Sequence, residues 1–140
     1  MNYLIFLDPG AGELEKILSG IKSMVVKEFD PTQTVAQQVR PGDSLYFLRD
    51  KDGFELRVKA NVTRVLFIAN HAGEDLSQRL KEFQPRLKLT EDQYNHWSST
   101  GQVLLVEFEQ ARKIEMIQVA SNKVTDRSGW LVFEEISQIT

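Results

Sequence analysis

Cysteine is absent from the 140 residues. That removes disulfides, thiolate metal sites and cysteine nucleophiles together, and fits a reducing compartment. Histidine is nearly as scarce: His71 and His96 stand far apart, with no His-x-x-x-His spacing, so no metal site is expected. Net basicity is also missing. A formal charge of −3 argues against a protein that grips long duplexes through its overall field, while leaving room for a local basic pocket. No apolar run approaches the length needed to span a bilayer. The apolar stretch from Met1 to Leu7 has no basic prefix and meets Asp8-Pro9-Gly10 at once, so it reads neither as a signal peptide nor as an anchor. The expectation is a cytoplasmic protein without a membrane partner.

What is present suits one soluble globular domain covering residues 1–140, with 41% hydrophobic and 26% charged residues. Tyr3 to Leu7 reads as a buried first strand. Leu14, Ile17 and Leu18 mark one face of a short helix, and Gly20 is placed to cap it in the left-handed conformation. Ser23 to Glu28, with Val25 and Val26 at its centre, reads as a second strand. Ser44 to Arg49 and Phe54 to Phe67 form a hairpin pair around Asp50-Lys51-Asp52-Gly53. In the longer of the two, Phe54, Leu56, Val58, Ala60 and Val62 alternate with polar residues, as in a strand with one wet face. Leu76, Leu80 and Phe83 recur at helical spacing, with Pro85 expected to end the helix. Thr90 to Gln93 has capping-box spacing and starts another, carrying Tyr94 and Trp97. Three further strands are expected over Val103 to Phe108, Ile114 to Val119 and Gly129 to Ile136. Only the first helix is a short crossover, so a mostly antiparallel barrel with flanking helices fits better than a doubly wound parallel sheet.

Chemistry-bearing residues are few. Asp8-Pro9-Gly10-Ala11-Gly12 links a strand to a helix, but Glu15 stands where a dinucleotide fingerprint needs its third glycine, and no Gly-Lys-Ser/Thr ending follows. No cofactor is expected. No nucleophile elbow or acid–base pair can be picked out by spacing, so no catalytic residue is assigned and a non-enzyme is favoured. Lys22 and Lys27 place two cations where a helix turns into a strand. They are either solvated surface residues or the charge of an anion site. Their odd spacing would send them to opposite faces of a regular strand. Arg57 and Lys59 share the wet face of the long strand, as cleft residues or as ordinary charged sheet surface. Near the C-terminus, Asn122, Arg127 and Trp130 combine hydrogen-bonding, basic and aromatic character. Trp130 suits either base stacking or packing at a rim.

Gly20-Ile21-Lys22 with Lys27, the Pro41-Gly42-Asp43-Ser44-Leu45-Tyr46-Phe47 segment and Val58-Lys59-Ala60 together resemble the ASCH family of the PUA-like superfamily. The likeness is strongest from Leu14 to Val65. It implies an α+β fold, a PUA-like mostly antiparallel β-barrel with flanking helices. It also implies a cleft between the first helix and the barrel that binds RNA or a nucleotide-like anion. The family motif runs Gly-x-Lys-x-x-x-x-Arg; here Gly20 and Lys22 match and Lys27 replaces the arginine, which keeps charge but loses the bidentate fork. Some relatives hydrolyse acetylated cytidine with the motif lysine, a threonine three residues on and a later glutamate. This sequence has Val25 and Arg57 at those two positions. The resemblance therefore favours binding through Lys22, Lys27, Arg57, Lys59, Asn122, Arg127 and Trp130. An amidohydrolase of acylated nucleosides is the alternative, and a protein-interaction module built on Tyr94 and Trp97 the third reading.

Overall fold

A computed structural model of the chain describes residues 1–7, 11–32, 38–49, 53–70, 76–124 and 130–140. Six strands form one sheet: β1 (Asn2–Leu7), β2 (Met24–Glu28), β3 (Ser44–Arg49), β4 (Glu55–Ala69), β5 (Gln102–Gln118) and β6 (Trp130–Phe133). Three helices accompany them: α1 (Glu13–Leu18), α2 (Leu76–Leu87) and α3 (Glu91–Ser98). The strand order is β2-β5-β4-β3-β1-β6. β1 and β3 run parallel, from Asn2 beside Ser44 to Leu7 beside Arg49. The remaining neighbours are antiparallel. The fold is thus α+β and mostly antiparallel. The sheet curls far enough for its two edge strands to meet through side chains: the Lys27 ammonium of β2 lies 5.8 Å from the centre of the Trp130 ring of β6.

Local chemistry explains the short elements. α1 buries Leu14 and Ile17, and its end is turned by Gly20 at φ 82°, a conformation that costs glycine nothing. Thr90 accepts from the Gln93 backbone N–H while the Gln93 side chain returns the bond to the Thr90 N–H, so α3 starts with the expected capping box. Val58, Ala60 and Val62 are buried on one face of β4, as alternation requires, while Leu56, across a register shift from Val58, is buried in a separate apolar cluster with Leu4, Tyr46 and Leu48. With Ile5, Phe47, Val106 and Phe108, the first three build the inner core against α1. A second apolar cluster lies under α2 and α3, where Leu76, Leu80 and Leu87 meet Met24 and Leu105. Burying one such side chain stabilises by about 1.5–3 kcal/mol.

Three sequence expectations need correction. Pro85 lies inside α2 rather than ending it. Beyond Pro85 the last carbonyls of the helix are bonded from another segment: the Ser23 N–H donates to Arg86 O at 3.0 Å, and the Lys22 ammonium donates to Leu87 O. The expected break at Ala111-Arg112-Lys113 is also missing, and β5 runs unbroken for 17 residues. It absorbs its curvature in register shifts against β4 and in Gln110, whose φ is +57°. The last strand stops at Phe133, not Ile136. There the Gln138 side chain accepts from the N–H groups of Glu134 and Glu135 at 2.6 and 3.1 Å, drawing both away from strand pairing into a 3₁₀ turn over Ile136–Gln138. The hairpin loop Asp50-Lys51-Asp52 lies outside the described residues, although Gly53 beside it has the positive φ, 66°, expected of it.

Candidate functional site

Lys22 is in neither α1 nor β2 but in the link between them, so the strand-parity objection does not apply to it. Its backbone N–H donates to Lys16 O at 3.0 Å, which folds the chain back under α1 and turns the side chain inward. Only 1% of the residue is exposed. The ammonium touches two groups: the carbonyl of Leu87 at the C-terminus of α2, and the carboxylate of Glu13 at 3.5 Å. Both are suited to a cation, because the last carbonyls of a helix carry partial negative charge. Burial pushes the Lys22 amine below its ordinary pKa of 10.5; Glu13 opposes that shift and Lys16 adds to it. Glu13 is itself buried, on the first turn of α1. Sequence reading passed over it because its partner is nine positions away and across a helix cap.

Above this pair lies a cleft of about 720 Å³. Lys22 and Lys27 both line it, and so does Trp130. Val25 and Val26 also reach it, although successive residues of a strand point to opposite faces. The cleft therefore straddles the edge of β2. Ile5 and Trp130 border it on the inner side, and Leu89 with His96 and Trp97 of α3 on the other. Trp130 is braced edge-on by Tyr3, with ring centres 5.8 Å apart. Lys27 is half-buried beside it, and its ammonium donates to Glu28 O at 3.4 Å. Burial lowers its pKa too, against the opposing pull of Asp30 and Glu28. The walls also carry Glu13, Glu28 and Asp30, so the cleft is mixed in charge rather than cationic. Among the described residues no cluster of His, Asp and Glu could hold a metal ion.

The other sequence-selected residues are placed elsewhere. Arg57 lines a separate recess of about 410 Å³ beside α1 and pairs with Glu55 at 2.6 Å, its side chain 58% exposed. Lys59 lies with its ammonium 5.3 Å from the centre of the Tyr46 ring. Asn122 is exposed in a 3₁₀ turn, Ser121–Lys123, and is not among the cleft residues. Arg127 lies outside the described residues. Tyr94 and Trp97 are packed in part against the second core cluster, and the Tyr94 hydroxyl donates to Ser77 O at 2.7 Å. The large apolar side chains that are exposed lie elsewhere, at Ile21, Phe67 and Val132 among others. No described helix is long and apolar enough to cross a membrane.

No protein-family model matches the sequence, and no curated protein matches it significantly. Solved structures do match. The crystal structure of ASCH from Zymomonas mobilis superposes with a TM-score of 0.70 at 13% identity, covering 98% of this chain and 91% of that one. The chain has the fold of an ASCH domain. Two single-residue variants of the Zymomonas mobilis protein agree. One reaches a TM-score of 0.70 at 13% identity over 96% of this chain and 91% of that one. The other reaches 0.60 at 14% identity over 84% and 73%. At such identities the likeness speaks for the ASCH fold alone.

Proposed function

We propose that this ASCH-fold chain acts as one domain that binds RNA or a nucleotide-like ligand in the cleft beside the β2 edge. The observation that carries the reading is Trp130, braced by Tyr3 and attended by the Lys27 ammonium on the wall of a cleft of about 720 Å³. A base stacked on Trp130 contributes about 1–3 kcal/mol. The Lys27 ammonium contributes about 0.5–1 kcal/mol where it now lies against the ring, and can exchange that contact for a phosphate. With carboxylates sharing the walls, stacking and hydrogen bonding carry the affinity and charge assists. Binding of short single-stranded RNA is therefore expected to show a shallow salt dependence, a log–log slope of about −0.7 for each phosphate engaged. Lys27→Ala should weaken binding and flatten that slope by about 0.7. Calorimetric titrations at three salt concentrations read both quantities. Identical slopes and affinities for the two proteins would remove Lys27 from the site.

A second reading, hydrolysis of an acylated nucleoside, is favoured by one contact. Glu13 stands 3.5 Å from a buried Lys22 whose pKa is lowered, which is the pairing a proton-transfer couple needs. Glu13 would take a proton from the attacking water and the pair would return it to the departing amine. Incubation with N4-acetylcytidine at high enzyme concentration, followed by assay for free acetate, decides it. Acetate that appears with wild type and vanishes with Glu13→Gln supports the couple; none with wild type ends the idea.

A further inference from the structure

The chain has two tryptophans, and both line this one cleft. Trp130 stands on the β6 wall, packed against the inner core. Trp97 stands on the α3 wall, packed in part against the second core cluster, with His96 edge-on to it at 5.0 Å between ring centres. Between the two walls runs the edge of β2 with Lys27 on it. A volume of about 720 Å³ is in the upper part of the range of roughly 300–1,000 Å³ found for pockets that enclose whole drug-sized molecules, and exceeds what one base requires.

The charges narrow the ligand further. Lys22 is held by Glu13 and Leu87 O, and Lys27 has Glu28 and Asp30 near it. A compact polyphosphate would meet three carboxylates, Glu13, Glu28 and Asp30, against two ammonium groups. A strand with one phosphate between neighbouring bases fits the arrangement better, because each aromatic wall takes a base and Lys27 takes the link.

We propose that the cleft holds two consecutive nucleotides of a single strand, one base against Trp130 and the next against Trp97 and His96. The proposal rests on the nucleotide-binding reading above, and its substrate class is an oligonucleotide rather than a free nucleoside or mononucleotide. Each tryptophan reports its own wall. Trp97→Phe leaves Trp130 as the sole tryptophan, and Trp130→Phe leaves Trp97.

The two variants are titrated at low salt with uridine 5′-monophosphate and with the trinucleotide UpUpU, following tryptophan emission. The full chain labelled with 5-fluorotryptophan, followed by ¹⁹F NMR, gives the same two readings without any substitution, so a variant that folds poorly does not block the test. The expected result is that UpUpU changes both signals with one midpoint and binds about tenfold or more tighter than the mononucleotide, which changes one signal alone. If UpUpU changes only one tryptophan, or binds no tighter than the mononucleotide, the two-wall inference is overturned and the nucleotide reading stands. A mononucleotide that changes both signals equally also overturns it, because the walls then form one base site. No response to either ligand, with no heat of binding, overturns both readings.

Discussion

Cations on two parts of the sheet carry the same formal charge in opposite surroundings. Along the β4–β5 ribbon, Arg57 is mostly exposed and bonded to Glu55, and Lys59 lies half-buried against the ring of Tyr46. At the β2 approach, Lys22 is fully buried and Lys27 half-buried, and burial lowers the pKa of both. Charge on the ribbon is already answered by water and a near neighbour, so it has little to offer a ligand. Charge at β2 has been taken out of water and is answered by a few fixed groups, which is where a cation can act on structure or on a bound molecule.

Removing Lys22 should test that contrast most severely. Lys22→Met leaves a buried Glu13 and the end of α2 without the ammonium, and is expected to cost about 3 kcal/mol of stability. Adding Glu13→Gln should return part of the loss by removing the buried charge that had faced the ammonium. Urea unfolding of wild type, single and double variants reads it, and an unchanged midpoint for Lys22→Met would show that the pair contributes nothing.

The next effect is a pH dependence. A lysine whose folded pKa is below its ordinary 10.5 is bound to fewer protons when folded than when unfolded. Its contribution to stability therefore rises with pH between the lowered pKa and 10.5. Tyr3, whose pKa is raised from 10.0 by burial, acts with the opposite sign only above that value. Measured from neutral pH to about 10, the stability gap between wild type and Lys22→Met should widen, while Lys27 contributes alike to both proteins. A gap that stays constant or narrows would contradict a desolvated Lys22.

Smallest of all is the effect expected on the ribbon. Arg57→Ala should change stability by about 0.5 kcal/mol or less, as exposed ion pairs do, and leave the affinity for short RNA within about twofold. A larger loss of affinity would bring the ribbon into the binding surface and erase the contrast.

Much of this fold is legible in the sequence because its signals are local. The Gly20 cap, the Thr90–Gln93 capping box, β3 and the alternation of β4 each depend on residues a few positions apart. What escapes reading depends on contacts made across the fold. Pro85 lies inside a helix whose last carbonyls are bonded by the distant Lys22–Ser23 link. The full length of β5 depends on Gln110 taking a left-handed conformation that nothing in Glu-Gln-Ala-Arg announces. The cleft shows the same division. Lys22, Lys27 and Trp130 stand out by type and position, and all three line it. Glu13, His96 and Trp97 reach it only because α1 and α3 dock where they do, and Arg57 lines a separate recess instead.

The bond from Lys22 to the last carbonyl of α2 has a consequence for how such chains diverge. It fastens the helical wall to the strand that borders the cleft, whatever the cleft contains. Selection for folding alone would keep this lysine and the glycine that turns the chain toward it, so a descendant should still display Gly20 and Lys22, while the exposed Ile21 can change. The signature is then a mark of the scaffold. Under the binding reading proposed above, a change of ligand would be written first at Lys27, whose ammonium fastens no helix to the sheet.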